Sequence, residues 1–271
     1  MEQAADFTTL GYFWAAVLGV VQGVAEFLPI SSSGHLALVE HLGLGFAAPA
    51  SFDVLLHLAT LVVVFVYFRR TILWYLKNDL RVLLYVVAAS VPTGVIGIVF
   101  KKEFEAIRHS PVLICVGLLV TAAGLFLASL QRGSAYQMRD LGWFGAITLG
   151  FCQALSITPG ISRSGATIAG AMICGIQRED AFSFSFILSI PAVLGAVMLH
   201  AWQAVKAGGA EGFLSGIAAG PLVLGFLFAM GSGYVSLLVL ESVVAKGRLV
   251  YFSAYCALAG TAGLAWFLIF A

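Results

Sequence analysis

The feature that most constrains this chain is a short polar pattern that occurs twice within very apolar surroundings. The first copy reads GVVQGVAEFLPISSSG from Gly19 to Gly34, and the second reads GFCQALSITPGISRSG from Gly150 to Gly165. Each copy ends an apolar run at a proline and then presents a cluster of hydroxyl side chains. Because a proline stops a helix and serine is a good N-cap, each copy predicts a helix, a break and a new helix.

The composition indicates that these breaks belong to a membrane protein. The chain is 61% hydrophobic and only 10% charged, whereas a soluble domain carries about 25% charged residues. Its long uninterrupted apolar runs also differ from the alternating pattern of an outer-membrane barrel. We therefore predict an all-α integral membrane protein that forms a single membrane domain over residues 1–271. No nucleic-acid partner is expected.

Six segments are long enough to cross a bilayer as helices, which takes about 20 residues, or about 17 at the short end. The expected spans are approximately Phe52–Phe68, Val82–Phe100, Pro111–Leu130, Ala181–Trp202, Phe213–Leu240 and Leu249–Ala271.

The two repeat regions, residues 11–44 and 141–176, behave differently from the spans. The first is interrupted only by Pro29 and the second only by Pro159 and Gly160, with no charged loop between their halves. We interpret each region as a re-entrant hairpin whose tip lies inside the membrane. Irregular backbone at that depth must face protein or a water-filled cavity.

The positions of the basic residues predict the orientation of this layout. If hairpins return to the side that they enter from, nine basic residues lie on the side opposite the termini and four on the termini's own side. The nine are Arg69, Arg70, Lys77, Arg81, Arg132, Arg139, Arg178, Lys246 and Arg248, and the four are Lys101, Lys102, Arg108 and Lys206. The positive-inside rule then makes the side with nine cytoplasmic and places both termini outside.

Two similar units that enter from opposite faces form an inverted-topology repeat, with one unit at about residues 10–130 and the other at about 141–271. Such repeats place their site at the interface near the midplane of the membrane. The tips at 31–35 and 162–167 should therefore meet.

The first tip carries candidate acid–base groups. Gln22 and Glu26 are spaced i, i+4 and point the same way on a helix. Ser31, Ser32 and Ser33 precede Gly34 and His35, at a helix start whose free N–H groups favour anions. His35 can act as a general base or attack directly. Alternatively, the serines only cap a helix and His35 is a satisfied polar residue.

The second tip carries candidate phosphate ligands. Arg163 offers a planar guanidinium that suits bidentate phosphate binding, and an arginine at membrane depth needs an anionic partner. Either Glu26 or a substrate phosphate could be that partner. Hydroxyl and glycine residues that could support the same anion are Gly160, Ser162, Ser164 and Thr167.

These residues match a known family. The pair Gln22-x-x-x-Glu26 and Pro159-Gly160-x-Ser162-Arg163-Ser164-x-x-Thr167 resembles the motif pair of the bacterial undecaprenyl-diphosphate phosphatases, which are linked to bacitracin resistance. The resemblance continues through EFLPISSSGH at 26–35, FDVLLH at 52–57 and FSFILSIPA at 184–192. It implies a fold of six transmembrane helices and two re-entrant helix pairs.

The resemblance also implies an activity and residue roles. The activity would be hydrolysis of undecaprenyl diphosphate to the monophosphate carrier of cell-wall synthesis, in the bacterial inner membrane. Carried over by position, Glu26 is the motif acid tied to a divalent cation, Mg²⁺ or Ca²⁺. Ser32 is the proposed nucleophile, His35 the proposed base and Arg163 the phosphate ligand. Gln22 stands where many members have glutamate, so the cation should depend more on Glu26 and on the substrate.

Several alternatives stay open at this point. A lipid-carrier flippase could bind the phosphate headgroup at the same tips without cleaving it. Asp53 and His57, spaced i, i+4, could enclose a cation or the headgroup, or could be a capping acid with a polar neighbour. Direct attack by water or by His35 would use the same residues as attack by Ser32. The expected partners are the bilayer and a polyprenyl diphosphate lipid, with a homodimer as an open alternative. The site is expected to open toward the outer face, because the first hairpin carries most of the candidate residues.

Overall fold

The computed structural model describes residues 11–41, 50–131, 136–214 and 218–270. Within these ranges the chain forms eleven α-helices and a short 3₁₀ turn at Met138–Asp140. The helices are α1 (Gly11–Phe27), α2 (Ser32–His41), α3 (Ala50–Asn78), α4 (Leu80–Val99), α5 (Lys101–Arg108), α6 (Pro111–Ser129), α7 (Gly142–Leu155), α8 (Arg163–Ile173), α9 (Arg178–Leu214), α10 (Ala219–Ala245) and α11 (Val250–Phe270).

Six of these helices are long and apolar enough to cross a membrane, namely α3, α4, α6, α9, α10 and α11. They are the six that the apolar runs predict, so the all-α class with six candidate spans is confirmed. The chain is a multi-pass membrane protein. The side on which its termini lie stays a prediction.

Three predicted boundaries are wrong, and one of them is the end of the fourth span, expected at Trp202, because α9 continues to Leu214. The first span was expected to end at Phe68, but α3 continues through Arg69 and Arg70 to Asn78. Phe213 was expected to begin the fifth span, but it lies in the last turn of α9, and α10 begins at Ala219. Hydropathy marks where a helix leaves the apolar layer, whereas the helix itself ends only where the backbone is interrupted.

The two predicted breaks are present. The first lies between α1 and α2 and contains Pro29, and the second lies between α7 and α8 and contains Pro159. The short apolar helices on either side are consistent with re-entrant hairpins, which stay a prediction. Leu44, the expected end of the first hairpin, and Arg132 lie outside the described residues.

Each half of the chain packs one of its short helices against a long helix of the other half. Helix α1 packs along α10 in the second half, and its repeat counterpart α7 packs along α4 in the first half. The glycines that begin the sequence repeat allow both contacts. A Cβ atom on Gly19 would lie 2.4 Å from the carbonyl oxygen of Gly225, and one on Gly150 would lie 2.3 Å from that of Ala89. These contacts join the two halves of the chain; the single domain and its two repeat units stay a prediction.

Aromatic packing fixes the end of α1. Phe27 is fully buried, and its ring lies 5.6 Å from that of Phe186 on α9, centroid to centroid. Phe68 on α3 stacks on Phe186 at 5.9 Å, and Phe182 lies beside both. Between helices of a membrane protein such rings contribute through van der Waals packing rather than through removal from water. This cluster holds the turn of α1 that carries Glu26.

The second break rests on α6. A Cβ atom on Gly117 would lie 2.7 Å from the carbonyl oxygen of Pro159 and 2.9 Å from the Cα of Gly160. Gly160 has a φ of +94°, and a Cβ atom there would lie 2.2 Å from the carbonyl oxygen of Ile114. Both positions therefore require glycine, one for close approach and one also for its backbone angle.

We expect Gly117→Ala to destabilise the protein by about 2 kcal/mol, because the added methyl group overlaps backbone that cannot move away. The matched control is Gly124→Ala on the same helix, where a Cβ atom meets nothing within 4 Å. That change should be neutral or slightly stabilising, since alanine favours a helix more than glycine does. Thermal unfolding in detergent measures both, and equal effects would contradict the docking of this break on α6.

Candidate functional site

The first tip is a capped helix start with a strained residue. Ser31 has a φ of +67°, which is uncommon for a residue other than glycine and costs about 1–3 kcal/mol. Its Oγ accepts a hydrogen bond from the backbone N–H of Gly34 at 3.3 Å. This bond satisfies one of the free donors of α2, as the serine pattern predicts.

The second tip is built in the same way. Ser162, the repeat counterpart of Ser31, is the N-cap of α8, and its Oγ accepts from the N–H of Gly165 at 3.1 Å. The next residue, Arg163, is the first residue of α8. Arg163 therefore lies at the positive end of α8, where anions are favoured.

The two tips meet, as the inverted repeat predicts. The Oγ of Ser31 accepts a second hydrogen bond from the N–H of Gly160 at 3.1 Å. A Cβ atom on Gly34 would lie 2.8 Å from the Cα of Gly160. The guanidinium of Arg163 forms an ion pair with the carboxylate of Glu26 across the junction. The site is thus assembled from both hairpins.

Glu26 is the centre of a polar cluster, and its side chain is only 9% exposed. One carboxylate oxygen, Oε1, accepts from Arg163. The other, Oε2, accepts from Nε2 of Gln22 and from Oγ of Ser32, both at 3.2 Å. The Nε2 atom of His57 lies 3.7 Å from the same oxygen. Four side chains from α1, α2, α3 and α8 therefore converge on one carboxylate.

Two polar atoms of this cluster are buried without a hydrogen-bond partner among the described residues. They are Nη1 of Arg163 and Oε1 of Gln22. Leaving such an atom unsatisfied costs about 1–3 kcal/mol, and more for a charged group. An unused guanidinium donor beside a hydroxyl and two helix starts is suited to a phosphate oxygen.

The structure places His35 beside the cluster with both ring nitrogens engaged. Its Nδ1 lies 2.9 Å from the carbonyl oxygen of Ser31, and its Nε2 lies 2.8 Å from the hydroxyl of Tyr255. The two rings are also stacked, with centroids 5.6 Å apart. Because a carbonyl only accepts, Nδ1 carries a proton, and in the neutral ring Nε2 accepts from Tyr255. Ser32, in contrast, bonds to Glu26.

His57 is the histidine that contacts Glu26. Its Nδ1 lies 2.9 Å from the carbonyl oxygen of Asp53 and 3.7 Å from one carboxylate oxygen of the same residue. The i, i+4 spacing of Asp53 and His57 alone leaves the role of this pair open. The spacing signals a local Asp–His pair; the contact with Glu26 comes from the packing of α3 beside α1, which no local pattern shows.

The remaining predicted site residues lie near the beginnings of α8 and α2. Ser164 is buried with its Oγ 3.3 Å from that of Ser162, and Thr167 donates to the carbonyl oxygen of Arg163 at 2.8 Å. Both thus stabilise the helix turn that presents the arginine. Ser33 is exposed.

The residues present do not form a resident cation site by themselves. No group of three or more His, Cys, Asp or Glu side chains in the described ranges is arranged to hold a metal ion. Both oxygens of Glu26 already accept from protein donors. A cation at this position would need further oxygens from a ligand.

The chain is similar to proteins of one known family. The family model for "Bacitracin resistance protein BacA" matches residues 15–262. A protein of Carboxydothermus hydrogenoformans named undecaprenyl-diphosphatase is 41% identical over 90% of this chain and 92% of its own length. Proteins with the same name from Treponema denticola and Methanosphaera stadtmanae are 37% and 34% identical, each over 91% of this chain and 94% of the relative.

We expect Arg163→Met to destabilise the protein by about 3 kcal/mol, because it leaves the carboxylate of Glu26 nearly buried and uncompensated. Adding Glu26→Gln should recover most of that loss, since the amide keeps the shape of the side chain without its charge. Thermal unfolding in detergent compares the single and double variants. If the double variant is no more stable than Arg163→Met, the two side chains do not depend on each other.

Proposed function

Because the chain belongs to the bacitracin resistance protein BacA family, we propose that it hydrolyses undecaprenyl diphosphate to undecaprenyl phosphate and inorganic phosphate. The names of its relatives support this substrate. The observation that carries the proposal is the convergence of Ser32, Glu26 and Arg163 where two helix starts meet. A hydroxyl and a guanidinium that both contact one carboxylate provide the nucleophile, the base and the cationic ligand that a phosphoryl transfer can use.

The terminal phosphate would bind between the two tips. Arg163 has one unpartnered nitrogen, Nη1, and the first turns of α2 and α8 provide backbone N–H groups. Phosphoryl transfer depends mainly on positioning and on neutralising charge. A phosphate oxygen that binds the guanidinium would replace Glu26 as a partner and so release Oε1 of that carboxylate.

Ser32 would then attack the terminal phosphorus. Its hydroxyl already donates to Oε2 of Glu26 at 3.2 Å, so the carboxylate is placed to receive the proton. The new Ser32 O–P bond forms as the P–O bond to undecaprenyl phosphate breaks, and water then cleaves the phosphoserine. His35 lies one helical turn from Ser32 and is the candidate for proton exchange with that water. Attack by water or by His35 itself is the alternative route.

A divalent cation, Mg²⁺ or Ca²⁺, would be held by Glu26 together with the diphosphate oxygens. Mg²⁺ commonly binds through one or two carboxylates and substrate phosphates, which agrees with the single carboxylate at the centre of this cluster. Bound there, it would offset the charge of the diphosphate. Gln22 adds no charge to such a site.

The direct test is phosphate release from undecaprenyl diphosphate by the purified protein in detergent. We expect Glu26→Ala, Ser32→Ala, His35→Ala and Arg163→Ala each to lower kcat/KM by roughly a thousandfold, as loss of a group that acts in the transition state does.

The control for these variants is Ser129→Ala, which removes a hydroxyl that bonds within α6 and should leave the rate unchanged. A variant with wild-type activity would refute the role of that residue. If the wild type binds the lipid but releases no phosphate, the protein is better described as a flippase.

We also propose that the site opens to the outer face of the bacterial inner membrane and that both termini lie outside. The distribution of basic residues in the sequence supports this orientation. Right-side-out vesicles should hydrolyse added substrate faster than inside-out vesicles, and the reverse order would contradict it. A homodimer is a further proposal, and a monomeric mass by light scattering in detergent would refute it.

A further inference from the structure

The backbone of Gly160 is held on both sides. Its N–H donates to Oγ of Ser31 on the first tip, and its carbonyl oxygen lies 3.0 Å from Oγ1 of Thr121 on α6. The first contact joins the two tips. The second anchors the second tip to a membrane-spanning helix that belongs to neither sequence motif.

Thr121 makes a further bond that leads directly to the arginine. Its Oγ1 accepts from the backbone N–H of Ser162 at 2.9 Å, and the side chain is buried, with 5% exposure. One hydroxyl therefore bridges both ends of the tight segment between Gly160 and Ser162. Ser162 caps α8 and Arg163 is its first residue. The hydroxyl therefore helps to hold the backbone from which the arginine side chain extends.

The backbone of the first break has a weaker anchor. The carbonyl oxygen of Pro29 accepts from Sγ of Cys256 on α11 at 3.6 Å, and a thiol is a weak donor; the stronger contact of this tip with α11 is made by a side chain, from His35 to Tyr255. Of the two backbone anchors, the stronger one thus holds the tip that carries the only charged phosphate ligand proposed. A binding arginine needs a fixed position, because a displacement of about 1 Å can cost a hundredfold in rate.

We propose that Thr121 is a positioning residue that sets the place of the Arg163 guanidinium for binding the terminal phosphate. This inference rests on the proposed function for its substrate, but its geometric basis is the bridge from Thr121 to Gly160 and Ser162. Thr121 contacts backbone and acts on phosphate through Arg163 alone.

The first test compares Thr121→Val with Thr121→Ser. Valine keeps the volume of the side chain but removes the hydroxyl, whereas serine keeps the hydroxyl. We expect Thr121→Val to lower kcat/KM about tenfold or more, mainly by raising KM, because a lost buried bond of this kind displaces the binding group. Thr121→Ser should remain within about threefold of wild type. Equal activity of the valine variant and wild type would overturn the proposal.

The second test separates positioning from general stability. The dissociation constant of an undecaprenyl methylenediphosphonate, which is not hydrolysed, is measured for wild type, Thr121→Val, Arg163→Lys and the double variant. Because the threonine acts through the arginine, Thr121→Val should weaken binding about tenfold in wild type and less than about threefold with Arg163→Lys. The same loss in both backgrounds would refute the proposal.

Thr93→Val is the matched control. Thr93 on α4 is also a buried threonine, and its Oγ1 donates to the carbonyl oxygen of Gly150 at 3.1 Å and accepts from Nε2 of Gln153 at 3.2 Å. It anchors α7 and not the tip, so it should leave analogue binding within about twofold. An effect equal to that of Thr121→Val would also refute the proposal. If the wild type binds the analogue but hydrolyses no substrate, the proposed function fails while the binding comparison still tests Thr121.

Discussion

The ion pair between Glu26 and Arg163 is the interaction on which the rest of the site depends. A carboxylate and a guanidinium that are this little exposed, 9% and 18%, are each unfavourable without a partner. Each is tolerable here because the other lies across the junction of the two hairpin tips. Glycines allow that junction, since the backbones at Gly34 and Gly160 approach too closely for any side chain. The close packing of the two tips therefore brings the carboxylate and the guanidinium into contact.

The two hairpins are similar as scaffolds but differ in chemistry. Gln22 and Gln153 are counterparts in the repeat, yet Gln22 donates to Glu26 whereas Gln153 donates to Thr93 and anchors α7 to α4. Ser31 and Ser162 both cap a helix. The acid and the hydroxyl lie on one copy and the arginine on the other. A repeated fold thus presents an asymmetric site, which suits a reaction that needs a nucleophile on one side of a phosphate and a cation on the other.

Much of this arrangement could be predicted from the sequence, because it depends on local patterns. The proline breaks, the serine caps and the six apolar runs all follow from backbone and hydropathy rules. The contacts that could not be predicted are those between distant helices. The sequence predicts that His35 activates Ser32 or a water, but it does not show that the serine bonds to Glu26 or that His35 bonds to Tyr255, which lies 220 positions away. Thr121 lies in an apolar helix with no motif around it, and only the fold shows its contacts with the backbone of Gly160 and Ser162.

The most direct measurement of the central claim is an experimental structure of the protein with undecaprenyl methylenediphosphonate bound. We expect the terminal phosphonate to lie between the tips, within hydrogen-bond distance of Arg163 from the second hairpin and of Ser32 from the first. A headgroup bound to one hairpin alone, or away from the junction of the tips, would contradict it.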